Sequence, residues 1–218
     1  MKYKLEWKYK LKGTQGTVFT SDWIEGELAL LIGEDLEKSG KAADVIYHDE
    51  RGTTWITKEM KKLLEEIEEE PHDLIVYFDG GFQKDTFQAG LGAVIYYKQG
   101  KKKYRIRANE LFDEIENNSE AEYAAMYYTV NLLEEMGAHH MSCEFKGDAQ
   151  GVLMQLKGDW PCYEENLNRW LDRIEEKLKK LKIDAKFTTI PRNENKEADK
   201  LATQALEGKV ISSKMQII

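Results

Sequence analysis

Hydrophobic and polar positions alternate differently in two stretches of the chain. Over residues 1–70, "YKLEWKYKLK" (3–12) and "GTVFTSDW" (16–23) read as strands, and "GELALLIGEDLEKSG" (26–40) as a helix closed by glycine. "ADVIYHDERGTTWI" (43–56) reads as two strands around a turn. "TKEMKKLLEEIEEE" (57–70) is a charged helix stopped by Pro71, because proline disfavours helix in the residue before it. From 73 onward the apolar runs lengthen. "LIVYFDGGF" (74–82), "GLGAVIYYK" (90–98) and "KKYRIRANE" (102–110) predict an antiparallel three-strand meander. The helix "SEAEYAAMYYTVNLLEEMG" (119–137), the strand "HMSCEFKGD" (140–148) and the short helix "AQGVLMQL" (149–156) follow. Between Tyr163 and Lys182, Leu167, Trp170, Leu171, Ile174, Leu178 and Leu181 form an amphipathic stripe. A last strand, "DAKFTTIP", leads into the helix "KEADKLATQALEG".

The order β-β-β-α-β-α-α-β-α predicts an α/β domain with a mixed β-sheet flanked by helices, since strands joined through helices run parallel. The expected organisation is a small α+β N-terminal domain at 1–70, the α/β domain at 71–207 and a tail at 208–218. The tail reads equally as an added strand or a loose end.

Composition narrows the setting. With 218 residues, 41% hydrophobic and 33% charged, the chain can fill a core and is not a disordered tail. No apolar run reaches the roughly 20 residues that span a bilayer, and "MKYKLEWKYKLKG" lacks the apolar centre of a signal peptide. Cys143 and Cys162 are too few for a disulfide framework. The expectation is a cytoplasmic monomer. The net charge of −8 works against nonspecific nucleic-acid binding by overall attraction. Two local basic stretches remain, Lys98–Arg107 and the helix end with Lys177, Lys179, Lys180 and Lys182. The first reads as a solvated hairpin tip or a binding strip, the second as cations that complement a helix C-terminus.

Candidate chemistry lies in four acids at predicted element ends. Each has an ordinary structural explanation. Asp79 before two glycines suits a turn, and Asp148 suits an N-cap. Ser119 and Glu122 fit a capping box, and Asp199 complements the dipole of the last helix. Together they carry more. Strand ends and helix starts collect on one edge of such a sheet, where open α/β folds place their sites. Four converging carboxylates repel one another unless divalent cations lie between them. An all-oxygen set suits Mg²⁺ or Mn²⁺ rather than zinc. Two such ions about 4 Å apart can activate water against a phosphodiester. Gly80 and Gly81, without side chains, would let a sugar-phosphate backbone come close.

"YFDGG", "NSEAEYAAM", "GDAQGVLMQL" and "RNENKEADKLA" resemble, in order, the four acidic motifs of the type 1 ribonuclease H family, over about residues 73–207. The resemblance implies an endonuclease that uses Mg²⁺ to cut the RNA strand of an RNA–DNA hybrid, leaving 5′-phosphate and 3′-hydroxyl ends. It implies that Asp79, Glu122, Asp148 and Asp199 are the catalytic, metal-binding carboxylates. Asn118 and Gln150 match residues that contact the hybrid's minor groove, and Gly80 and Gly81 match the backbone beside the first acid. Recognition would rest on 2′-hydroxyls and helix shape.

The chain departs from the family pattern in several places. No histidine lies in "TTIPRNENKEAD"; Arg192 is the nearest substitute, able to hold a phosphate but not to act as a base. Ser119 stands where asparagine is frequent and Ala149 where serine is frequent, and the long basic protrusion of some members is missing. The missing histidine and the acidic charge favour an alternative, a module that binds hybrid, RNA or a protein without cutting; the four intact carboxylates oppose it, since a pure binder gains nothing from clustering them. A resolvase-like nuclease is a third reading, opposed by the Asn-x-x-x-acid contexts at Asn118 and Asn195. His72, His139 and His140 read as solvent-facing or boundary residues, and Trp7, Trp23 and Trp55 as core packing of the N-terminal unit.

Overall fold

The computed structural model describes residues 1–10 and 15–217. Residues 11 and 12 of the strand expected over 3–12, and the last residue of the tail, lie outside the described residues. Contacts divide the chain into two units, Met1–Glu69 and Glu70–Ile218.

In the first unit β1 (Lys2–Tyr9) is central. It pairs antiparallel with β2 (Thr17–Thr20), β3 (Ile24–Glu25) and β4 (Ala42–Asp49), and β4 pairs with β5 (Thr54–Ile56). Helices α1 (Gly26–Lys38) and α2 (Thr57–Glu69) pack against each other and the sheet. Period-two alternation on β1 and β4 sends Tyr3, Leu5, Val45 and Tyr47 inward to meet Ala29 and Met60. Trp7 and Trp55 rest on this core, as their burial preference suggests, but Trp23 is 44% exposed.

The second unit begins with the meander β6 (His72–Gln83), β7 (Gln88–Gln99) and β8 (Lys102–Phe112). Helix α3 (Asn118–Glu135), β9 (Ser142–Gly147), α4 (Gln150–Leu156), α5 (Glu165–Leu181) and β10 (Asp184–Thr189) follow. A 3₁₀ turn (Arg192–Glu194), α6 (Lys196–Leu206) and β11 (Ser212–Ile217) complete it. The sheet order is β10-β9-β6-β7-β8-β11, with β9 parallel to both β6 and β10 and the other pairs antiparallel. The mixed sheet flanked by helices is therefore present. The tail is resolved as a strand: residues 212–217 pair with β8 and belong to this unit.

One face of the sheet supplies Leu74, Val76, Phe78 and Phe145 to a core shared with α3, α4 and α5, where Trp170 and Ile174 of the predicted stripe are buried. The other face carries α6, seated through Ala198 and Leu201 on Val94. Both basic stretches are partly neutralised: Lys98 pairs with Asp73 at 2.7 Å, and Lys177 and Lys180 pair with Glu134 at 2.7 and 3.0 Å. Cys143 is buried and Cys162 half-buried, both as free thiols. No helix among the described residues is long and apolar enough to cross a membrane.

Candidate active site

Asp79 does not end its strand. β6 runs unbroken through Asp79, Gly80 and Gly81 to Gln83, all paired with β7. The two glycines therefore make no turn. A Cβ on Gly80 would stand 2.6 Å from the Glu122 amide nitrogen and closer still to the Ala121 carbonyl, so the missing side chain lets α3 lie directly on the strand. A Cβ on Gly81 would meet Leu206 of α6 at 3.3 Å. The space expected for a sugar-phosphate backbone is filled by helices on both sides. Gly92 of β7 serves α6 in the same way: its Cβ would fall 2.7 Å from the Ala202 nitrogen.

This close packing sets the acids. With α3 on Gly80, the Gly80 amide donates to Glu122 Oε2 at 3.2 Å. Glu122 is not a capping residue. The cap of α3 is Asn117, whose Oδ1 accepts the Glu120 amide at 2.9 Å, while Glu120 Oε2 accepts the Glu116 amide at 2.8 Å. Asp148, just beyond β9, does not cap α4 either. Ala149 holds that position without a side-chain bond, and Asp148 instead accepts the Asn195 side-chain amide at 2.7 Å. The same Asn195 nitrogen reaches the Phe78 carbonyl at 2.9 Å and Asp79 Oδ1 at 3.4 Å. Asp199, in the first turn of α6, accepts Arg192 at 2.7 Å. One buried asparagine thus ties together β6, the end of β9 and the start of α6.

Crowding shows in the proton affinities. Burial, then the charges of Asp148 and Asp199, push the Asp79 carboxyl up to about 7, opposed by Arg192. Burial, then Asp79 and Asp148, push Glu122 up to about 8, opposed by the Gly80 amide. Both acids ionise more readily in the unfolded chain, so each begins to cost stability above its unfolded value, and the cost stops growing above its folded one. Without divalent ions, stability is expected to fall as pH rises from about 4 to about 8. Thermal melts in EDTA across that range check it; a flat or rising melting temperature contradicts it.

The four expected acids are thus gathered at one edge of the sheet. They do not form a finished cage: no group of three or more His, Cys, Asp or Glu among the described residues is placed to hold a metal ion. The side chains turn to the partners at hand, Arg192, Asn195 and the Gly80 amide. The donor chemistry still fits a small hard cation, because every candidate ligand is an oxygen and Arg192 balances only part of the carboxylate charge. Asn118 and Gln150 are exposed at the first positions of α3 and α4. Asn195 is the residue that sequence reading undervalued, noted only as motif context and here the hub of the site.

Residues 77–205 match the family model for reverse transcriptase-like proteins. The chain belongs to that family and carries a type 1 ribonuclease H domain. This ribonuclease H domain is similar to solved structures of the family. RNase H1 from the archaeon Halobacterium salinarum NRC-1 matches with a TM-score of 0.54 and 29% identity, over 62% of this chain and 98% of that one. LC11-RNase H1, solved in complex with an RNA/DNA hybrid, matches with a TM-score of 0.55 and 25% identity, over 62% and 98%. An uncharacterized protein of Bacillus subtilis strain 168, YpeP, is 42% identical over 215 residues, 98% of this chain and 94% of its own, so that match runs through both units. Ribonuclease H proteins generally use divalent metals such as Mg²⁺.

Proposed function

We propose that this protein is a Mg²⁺-dependent endonuclease, with Mn²⁺ a possible substitute, that hydrolyses the RNA strand of RNA–DNA hybrids and leaves 5′-phosphate and 3′-hydroxyl ends. It acts as a cytoplasmic monomer. The observation that carries this reading is the convergence of Asp79, Glu122, Asp148 and Asp199, where burial first and the neighbouring carboxylates second raise the proton affinity of Asp79 and Glu122. The hybrid-bound relative LC11-RNase H1 supports the choice of substrate.

In this mechanism the carboxylates of Asp79, Glu122, Asp148 and Asp199 would hold the metal, which would supply the charge that activates a water and stabilises the leaving oxygen of the phosphodiester. The chain's own residues do the positioning. Asn195 keeps Asp148 and Asp79 on one side of the site, and the Gly80 amide fixes the Glu122 carboxylate. Asn118 and Gln150, exposed on the same edge, face the minor groove, where 2′-hydroxyls distinguish RNA from DNA. Arg192 leaves Asp199 for the phosphate as substrate binds.

That exchange gives an expectation for Arg192→Ala. An exposed ion pair is worth up to about 1 kcal/mol, roughly a five-fold change in an equilibrium. Freed of its partner, Asp199 should bind metal more readily, so half-saturating Mg²⁺ falls by about that factor while the KM for hybrid rises. Steady-state kinetics over a Mg²⁺ series check both; an unchanged Mg²⁺ requirement removes Arg192 from the site.

The reading itself is tested with labelled RNA–DNA hybrid, duplex RNA and duplex DNA, each in Mg²⁺, Mn²⁺ or EDTA, beside Asp148→Asn. The expected result is cleavage of hybrid RNA alone, abolished by EDTA and by the substitution. Hybrid binding without cleavage in any metal would instead support the non-catalytic module, which the paired state of Asp199 and Arg192 favours.

A further inference from the structure

Glu197 stands two residues before Asp199, and on a helix such neighbours point to different sides. Asp199 faces the acidic edge; Glu197 faces the sheet. Its Oε1 lies 3.2 Å from Arg105 Nη1 and 2.9 Å from Arg107 Nε, and its Oε2 accepts the Tyr96 hydroxyl at 3.1 Å. Arg105 and Arg107 are alternate residues of β8, and Tyr96 of β7 is the register partner of Arg105. One carboxylate therefore joins two strands to the first turn of α6. Helix-dipole complementarity would explain an acid here, but not one that gathers two guanidiniums, each about a quarter exposed. Without it, two like charges would remain half-buried side by side.

Three attachments then fix the start of α6. Ala198 sits over Gly92, Asn195 is bonded to the Phe78 carbonyl, and Glu197 is held by β7 and β8. The first sets how close the helix lies. The other two set its rotation, and rotation decides where Asp199 points relative to Asp79 and Asp148.

We propose that Glu197 is a positioning residue of the active site: its clamp on Arg105, Arg107 and Tyr96 orients the turn that presents Asp199 to the metal and Asn195 to Asp79 and Asp148. The proposal rests on the metal-binding reading of the four acids. Groups that orient metal ligands typically change affinity 10- to 100-fold when removed.

The test measures Mg²⁺ affinity by isothermal titration calorimetry and, separately, kcat and KM on hybrid. For Glu197→Gln the expected result is about ten-fold weaker Mg²⁺ binding and a similar fall in kcat, with KM for hybrid nearly unchanged. Tyr96→Phe removes one hydrogen bond of the clamp and is expected to weaken Mg²⁺ binding about three-fold. A lower melting temperature with unchanged Mg²⁺ affinity in both variants would make the clamp merely structural and overturn the proposal. If Glu197→Gln does not fold, Tyr96→Phe decides alone by the same criterion. Mg²⁺ binding by the wild type without hybrid cleavage defeats the nuclease reading only, and the affinity comparison still judges the clamp. No Mg²⁺ binding by the wild type overturns both.

Discussion

Asp79→Asn is expected to abolish hybrid cleavage, by a factor of about a thousand or more, while making the metal-free protein more stable. The loss follows from the role of the site. Metal-borne charge stabilisation is worth several kcal/mol, and about 4 kcal/mol corresponds to a thousandfold. The gain follows from the raised carboxyl. The difference between 3.8 and about 7 corresponds to at most roughly 4 kcal/mol of native-state penalty at high pH, which an amide does not incur. Burial and the neighbouring charges of Asp148 and Asp199 share that penalty, so part of it persists as the desolvation of the new amide. A net gain of about 1–2 kcal/mol, or several degrees in melting temperature, is the expected size at pH 8 in EDTA. Melts of both proteins at pH 5 and pH 8, beside a hybrid-cleavage assay, check the pair of effects. An Asp79→Asn variant less stable than wild type at pH 8 would mean that the acids do not strain the fold.

Gly80→Ala is expected to destabilise the fold strongly. Its new methyl would meet backbone, the Ala121 carbonyl and the Glu122 nitrogen, and α3 cannot yield without lifting Ala121, Ala124 and Ala125 from the core. Such overpacking against backbone places the cost at the extreme end for point changes, about 4 kcal/mol or more. For a chain of this size that lowers the melting temperature by roughly 8–16 °C. Gly151→Ala is the control, because nothing lies within 4 Å of its Cβ position on α4. There alanine is expected to be neutral or stabilising by up to about 1 kcal/mol. Equal stability of the two variants would show that α3 does not depend on the bare backbone at position 80.

Much of this arrangement was legible in the chain. Long apolar runs marked β6 and β7 because both faces of the sheet are covered. The stripe from Leu167 to Leu178 marked α5 because only one side of that helix meets the core. The four acids were legible as an ordered set, and the structure brings them to one edge. Local signals misled where a tertiary contact outweighed them. Asp-Gly-Gly has turn chemistry, yet β7 on one side and α3 over Gly80 keep β6 extended through it. Ser119 and Glu122 have capping-box spacing, but Asn117 and Glu120 two positions earlier form the cap and leave Glu122 free to reach Gly80.

Other features could not be read from spacing at all. The bond from Asn195 to the Phe78 carbonyl joins residues 117 positions apart. Glu197 and its three partners come from three separate elements. The tail became β11 through pairing with β8 and through Asn109, whose side chain bonds both the Lys209 carbonyl and the Ile211 amide.

The most direct measurement is the position of bound Mn²⁺ in crystals grown or soaked with the ion, read from its anomalous scattering. The account predicts a peak ligated by carboxylate oxygens of Asp79 and Asp148, at roughly 2.0–2.3 Å, with Arg192 withdrawn from Asp199. Crystals at millimolar Mn²⁺ with no ion among these acids, and with Arg192 still on Asp199, would contradict it.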